Sequence, residues 1–214
     1  MTMRREGVSA LLMVLIVALG LAGWVGPAAA SAADAESMVR KTTDEVLARL
    51  ERERSQLEKH PEGIYNLVED LVLPHFDFRR MSQWVLGRYW RRASTEQRQQ
   101  FVDQFRTLLV RTYATALLQY TGQAIQYLPL HAPEGADDVT VRTEIAQPGT
   151  QPVRLDYSMH VNRDGEWKVY DITVEGVSLV TNYRSNFAGE IRQHGLDHLI
   201  DSLKKRNQEA TAHG

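Results

Sequence analysis

The chain contains no cysteine. That excludes disulfides, thiolate metal sites, a cysteine nucleophile and a lipid anchor on an N-terminal Cys. It also lacks an excess of either charge. Lys and Arg number 25 against 27 Asp and Glu, a formal net charge of −2, which argues against a dedicated nucleic-acid binder. Enzyme signatures are missing too: there is no G-x-G-x-x-G, no P-loop and no G-x-S-x-G. No internal repeat or low-complexity linker divides the 214 residues, so one domain is expected. Without disulfides it must hold together by its core alone, and a chain of this size can do so.

Hydrophobicity is distributed unevenly. From Val8 to Ala30, 18 of 23 positions are apolar and none is charged. Arg4 and Arg5 precede this run, and small residues close it at Gly26-Pro27-Ala28-Ala29-Ala30-Ser31-Ala32. Basic start, apolar middle and small-residue exit are the parts of a secretory signal peptide, with cleavage after Ala30 or after Ala32. The run approaches spanning length, but Gly20, Gly23, Gly26 and Pro27 break its end and no basic stop-transfer cluster follows at once. The expected organisation is a cleaved segment over residues 1–30, one domain over 31–206, and a frayed tail over 207–214.

Helical periodicity dominates the first part of the mature chain. A polar helix is expected over Ala35–Lys59 with an apolar seam at Met38, Val39, Val46, Leu47, Leu50 and Leu57. Further helices are expected over Ile64–Leu73 and over Phe78–Leu86, the latter capped by Asp77 and ended by Gly87. Ser94-Thr95-Glu96-Gln97 has capping-box spacing and opens the longest helix, to about Tyr120. Its broad apolar face carries Phe101, Phe105, Leu108, Leu109, Tyr113, Ala116, Leu117 and Tyr120. The period then changes to two. Strands are expected at Ala124–Leu128, Val139–Ile145 and Val153–Val161, with Asn162-Arg163-Asp164-Gly165 turning into a fourth at Glu166–Val174. In that fourth strand Trp167 and Val169 share one parity while Ile172 and Val174 share the other, which calls for a bulge near Asp171. Helices over Leu179–Gln193 and Leu196–Lys205 follow. Helices, then a meander, then helices indicate an α+β domain: a twisted four-stranded antiparallel sheet with helices packed around it.

Catalytic constellations are scarce. His194 and His198 stand at i, i+4 near Asp201, but Gly195 lies between them and no H-E-x-x-H pattern follows, so no metal site is expected. Ser202-Leu203-Lys204-Lys205 spells S-x-x-K without its companion motifs. No nucleophile, base and oxyanion donor fall together. A more distinctive feature is the run Arg79, Arg80, Arg88, Arg91, Arg92 and Arg98, opposed only by Glu96 within residues 78–98 and interleaved with Trp84, Tyr89 and Trp90. It reads either as a solvated face or as a patch for anionic headgroups or an acidic partner. The aromatics fit a membrane-facing rim or a pocket mouth, and equally the core of a short helix.

The segment running from Trp167-Lys168-Val169-Tyr170-Asp171-Ile172-Thr173-Val174 through Glu175-Gly176-Val177-Ser178-Leu179-Val180 to Thr181-Asn182-Tyr183-Arg184-Ser185-Asn186-Phe187 resembles the signature of the MlaC-type, or toluene-tolerance, family of periplasmic phospholipid-binding proteins. Leu73-Pro74-His75-Phe76-Asp77, Val85-Leu86-Gly87-Arg88-Tyr89-Trp90, Tyr120-Thr121-Gly122 and Pro152-Val153-Arg154-Leu155-Asp156-Tyr157 agree with it. The resemblance runs from about residue 38 to 205. It implies a cone-shaped architecture like that of nuclear transport factor, with acyl chains between sheet and helices and the headgroup outward. It also implies a periplasmic carrier shuttling phospholipid between an outer-membrane lipoprotein–porin complex and an inner-membrane MCE–ABC transporter complex, maintaining outer-membrane lipid asymmetry. Such a carrier has phospholipid as cargo, needs no cofactor and no catalytic residue, touches membrane surfaces transiently, and is expected to be a monomer.

Strand parity and the helix face nominate the lining. The strand set Val139, Val141, Leu155, Tyr157, Met159, Trp167 and Val169 is expected to face Phe105, Leu109, Tyr113 and Leu117, with Val174, Val177, Tyr183 and Phe187 closing the cleft. The same residue types also build ordinary cores. Arg88, Tyr89, Trp90, Arg91 and Arg184 are nominated for headgroup or membrane contact, and Asp171 is a candidate structural partner of Arg184. Two rival readings remain open at this level. One is a periplasmic adaptor that binds protein without lipid. The other is an enzyme on the same scaffold using Asp156 or Asp171 with His160, although Asp156 and His160 fall on the polar face of their strand.

Overall fold

The structure, a computed structural model, describes residues 30–146, 149 and 151–212. The expected export segment lies outside these residues, except for Ala30. Among the described residues no helix is long and apolar enough to cross a membrane.

Helix α1 (Ala32–Leu57) starts at a capping box: the Asp34 amide donates to Ser31 Oγ at 3.3 Å, and the Ser31 amide donates to Asp34 Oδ2 at 2.7 Å. Its 26 residues make it about 39 Å long, enough to touch two separate bodies. α2 (Gly63–Leu71) packs back on it, and a short 3₁₀ turn at Leu73–His75 leads to α3 (Phe78–Leu86), where Asp77 Oδ1 accepts from the Arg80 amide at 2.8 Å. α4 (Arg88–Arg92) and α5 (Thr95–Tyr113) follow, α5 opening on the Ser94–Gln97 capping box. The α-helix expected to reach Tyr120 tightens into a 3₁₀ helix at Ala114–Gln119. In that geometry residues three apart eclipse, so Ala114 and Leu117 both reach the core formed by α1 and α2.

The sheet is an antiparallel meander of five strands, not the expected four: β1 (Ile125–Tyr127), β2 (Asp138–Ile145), β3 (Val153–Val161), β4 (Trp167–Val174) and β5 (Val177–Ser178). β5 has two residues, too short to show a period. The tight turn before it places Glu175 at φ 49° and Gly176 at φ 81°, the two positive values that a two-residue hairpin loop demands. Ser158 pairs with Asp171 and Met159 with Val169, so Tyr170 is the extra residue of a bulge in β4. The bulge brings Trp167, Val169, Ile172 and Val174 to one face, as the parity change requires. The chain ends in α6 (Leu179–His194) and α7 (Leu196–Ala212). α7 runs through the expected tail because Asn207 is buried and its Nδ2 donates to Gln104 O and Oε1, both at 3.0 Å.

Three apolar cores result. The helical core joins Met81, Val85 and Leu86 of α3, Trp90, Phe101 and Phe105 to Phe187 and Ile191 of α6 and Leu199 and Leu203 of α7. A second sits beneath the first part of α1, where Ala35 and Val39 cover Val139, Val141, Met159, Trp167 and Val169. The third lies between the second half of α1 and α2, built from Val46, Leu50, Leu57, Ile64, Leu67, Val68 and Ala114. Each fully buried large side chain contributes about 1.5–3 kcal/mol.

A polar joint ties the helical core to the sheet. The Asp77 amide donates to Val169 O at 2.9 Å, and Asp77 Oδ2 lies 2.9 Å from Nε2 of buried His160. A carboxylate only accepts, so Nε2 carries the proton of this bond. On the other side of the ring Arg80 Nη1 is 3.1 Å from Nδ1, while Arg80 Nη2 reaches Asp138, which also accepts from Tyr170 Oη at 3.0 Å. Replacing Asp77 with Ala removes a helix cap and leaves a buried imidazole donor unpaired. Urea unfolding is expected to show a loss of about 2–4 kcal/mol, and Asp77→Asn, which keeps a capping oxygen, is expected to lose less.

Candidate functional site

The inner face of the sheet is apolar along its whole length but is not covered along its whole length. Cross-strand rows run Val139–Met159–Val169, then Val141–Tyr157–Ile172, then Tyr127–Thr143–Leu155–Val174, then Ile125–Ile145–Val153. The first row is sealed by α1, its members 6, 0 and 2% exposed. Moving along the sheet, Tyr157 and Ile172, then Leu155 and Val174, then Ile125, Ile145 and Val153 are only half-buried. Leu155 and Val174 belong to none of the three cores.

α5, whose apolar side is expected over this face, packs closely on α7, α3 and α2 and makes no more than glancing contact with any strand. The sheet is approached instead by α1, α3 and α6. We read the half-buried rows and the end of α5 as the two walls of an open apolar wedge. On the helical wall Tyr113 is 39% exposed, although it follows buried Phe105 and Leu109 on the same helix face. Tyr113 hydrogen-bonds Tyr183 of α6, whose ring stands edge-on to Phe105 at 5.2 Å.

Three phenols at the wedge, those of Tyr113, Tyr127 and Tyr157, are raised by burial. Burial, and then the hydrogen bond with Tyr183, pushes Tyr113 up to about 12. Burial also raises Tyr157, against an opposing hydrogen bond with Thr143, and raises Tyr127. The carboxylates and histidine that an acid–base site would use are engaged elsewhere. Asp156 accepts from Arg154 Nε at 2.9 Å, His160 is held by Asp77, and Asp171 accepts from the Ser178 hydroxyl and from the Val180 amide at 3.0 Å. Asp171 thus fastens the start of α6 to β4 rather than pairing with Arg184. Such a wedge can hold apolar chains by area; it carries no convergent acid and base.

The expected lining residues separate into four groups. Leu155, Tyr157, Val174, Tyr113 and Tyr183 border the wedge. Val139, Val141, Met159, Trp167 and Val169 are inward as expected, but they lie under α1 instead of facing α5. Phe105, Leu109 and Phe187 are in the helical core, and Leu117 belongs to the α1–α2 core. Leu117 there lines an open groove of about 230 Å³ with Leu50, Leu57, Leu118 and Tyr120. Val177, 58% exposed, sits at the β4–β5 hairpin outside the wedge. Of the nominated contact residues, Arg88, Arg91 and Arg184 are exposed, but Trp90 is 6% exposed and packs inside the helical core. Sequence reasoning missed Ile172 and Thr143 as wall residues. Ile172 was readable from its parity with Val174, whereas Thr143, buried with its hydroxyl donating to Leu155 O at 3.2 Å, carries no apolar signal. His194 and His198 bring their rings to 4.8 Å, and among the described residues no group of three potential ligands could hold a metal.

Ionisation of Tyr113 tests this environment. Its pKa is raised on folding, so the stability linked to it is complete below about pH 10 and is lost as pH rises towards about 12. Tyr170, also pushed up to about 12, by burial and then by its bond to Asp138, follows the same rule. Tyrosinate absorbance is expected to show late-titrating tyrosines, one fewer in Tyr113→Phe, with Tyr170 still titrating late. Titration of all tyrosines near pH 10 would contradict the buried wall.

Comparison with known proteins agrees with this architecture. The profile of the family described as "MlaC protein" matches residues 40–205. The chain is 28% identical over 170 residues to the intermembrane phospholipid transport system binding protein MlaC of Haemophilus influenzae, covering 78% of this chain and 79% of that one. It is 29% identical over 167 residues to the toluene tolerance protein Ttg2D of Pseudomonas putida, covering 77% of each. Among solved structures, the phospholipid-binding protein from Ralstonia solanacearum, in complex with a phospholipid, matches with a TM-score of 0.76 at 35% identity, over 83% of this chain and 98% of that one. The chain is a member of the MlaC family.

Proposed function

We propose that this protein is a periplasmic phospholipid carrier that holds acyl chains in the wedge between sheet and helices. The observation that carries the reading is the half-buried apolar face at Leu155, Tyr157, Ile172 and Val174, read together with Tyr113 and Tyr183 as the helical wall. The Ralstonia relative with its bound phospholipid and the Haemophilus relative named for intermembrane phospholipid transport support it. Burial of acyl chain is worth about 0.8 kcal/mol per CH₂, so free lipid does not accumulate in water. The exchange that matters is between wedge and membrane, both apolar, and it needs no chemistry from the carrier.

Direction then comes from partners. The proposed route joins an outer-membrane lipoprotein–porin complex to an inner-membrane MCE–ABC transporter complex, where ATP hydrolysis supplies the drive. Export by the segment over residues 1–30 places the carrier between them.

Native mass spectrometry of the gently purified protein is expected to show co-purified phospholipid. Leu155→Glu and Val174→Glu each place a carboxylate at a half-buried position on the wedge wall. Each is expected to lower lipid recovery by roughly tenfold or more while circular dichroism stays unchanged. Bare wild-type protein that cannot be loaded from vesicles would refute the carrier reading, and unchanged recovery in both variants would refute the wall assignment.

A further inference from the structure

Seven arginines gather around α4. Arg88, Arg91 and Arg92 belong to it. Arg79 and Arg98 place their guanidinium carbons 5.4 Å from the Trp90 ring centroid, and Arg98 Nε donates to Trp90 O at 2.9 Å. The other two arrive from α6, about a hundred residues on. The Arg184 guanidinium lies against Gly87, where an added Cβ would come within 3.3 Å of it. Arg192, two helical turns further along the same side of α6, hydrogen-bonds the Tyr89 hydroxyl, which also accepts from Arg88 at 2.9 Å and is acidified chiefly by that bond.

Among the described residues none of these seven is within ion-pair distance of a carboxylate, whereas Arg40, Arg49, Arg106 and Arg154 all are. The acidic side chains nearest in sequence are occupied: Glu96 accepts from Gln100, Asp197 accepts from Gln97, and Glu190 faces His198. Arg79, Arg88, Arg91, Arg92, Arg184 and Arg192 are exposed. Beside them, in the last turn of α3, Trp84 is 49% exposed.

Unpaired guanidiniums in a domain of net negative charge, with an exposed indole at their edge, form a surface complementary to an anionic layer that also accepts aromatic rings. That combination belongs to the headgroup zone of a bilayer more than to an acidic protein face, which offers the indole no apolar boundary. α6 carries both this surface and the wedge, since Tyr183 at the wedge precedes Arg184 in sequence. We infer that the arginines around α4 together with Trp84 form a docking surface for anionic phospholipid bilayers, which sets α6 and the wedge beside the membrane. This rests on the carrier reading.

Flotation of the purified protein with vesicles tests it. Binding is expected to phosphatidylcholine vesicles containing phosphatidylglycerol, not to phosphatidylcholine alone, and to vanish at high salt. Arg92→Gln and Arg192→Gln, neither at the wedge, are each expected to weaken binding roughly fivefold and together roughly 25-fold, with co-purified lipid unchanged. Trp84→Ser is expected to weaken it as well, while Arg163→Gln in the β3–β4 turn leaves it unaltered. Binding indifferent to vesicle charge or to both arginine variants would overturn the surface. So would an absence of vesicle binding, including one in which these variants instead fail to capture an acidic protein partner. The two readings fail separately. Lipid-loaded protein without charge-dependent vesicle binding removes the docking surface alone, and lipid-free protein with such binding removes the carrier reading alone.

Discussion

The helical body and the sheet are held in register at Asp77. One residue caps α3, receives the Nε2–H of His160 from β3, and donates its own amide to Val169 of β4. Other polar links between helix and strand are Trp167 Nε1 donating to Ser31 O, Arg80 reaching Asp138, and the Val180 amide donating to Asp171. Because the joint is concentrated at one end of the strands, the other end of the sheet is free to diverge from α5. The wedge follows from that asymmetry.

A second consequence is the division of the interior into three cores. A continuous core is packed to crystal-like density and resists opening. Here the interior is shared among three smaller cores, and Phe76 packs against both the helical core and the core beneath α1. The tyrosines suit the wedge because their rings extend the apolar wall while their hydroxyls find partners, Tyr113 with Tyr183 and Tyr157 with Thr143. α6 connects these parts. Asp171 fastens its start to the sheet, Phe187 and Ile191 anchor it in the helical core, and its arginines emerge on the far side.

Much of this was legible in the sequence wherever the cause is local. The capping box at Ser94, the cap at Asp77 and the stop at Gly87 depend on residues within one helical turn. The β4 bulge was readable because an inserted residue reverses the parity of everything after it. β5 was not, since two residues carry no period, and the 3₁₀ stretch after Tyr113 was not, since its spacing differs from an α-helix by a fraction of a residue.

Residue type and parity alone determined that this chain has an apolar inner sheet face and a broad apolar side on α5. Only the tertiary structure decided which of those apolar residues are core and which are wall, because Val139 and Leu155 look alike in sequence and differ only in whether α1 lies above them. The same holds for charge. Arg79 to Arg98 form a visible run, but Arg184 and Arg192 join it through the packing of α6 on α3, and Trp90 leaves it for the core. Contacts between residues about a hundred positions apart are set by how helices pack, and a linear pattern does not encode that packing.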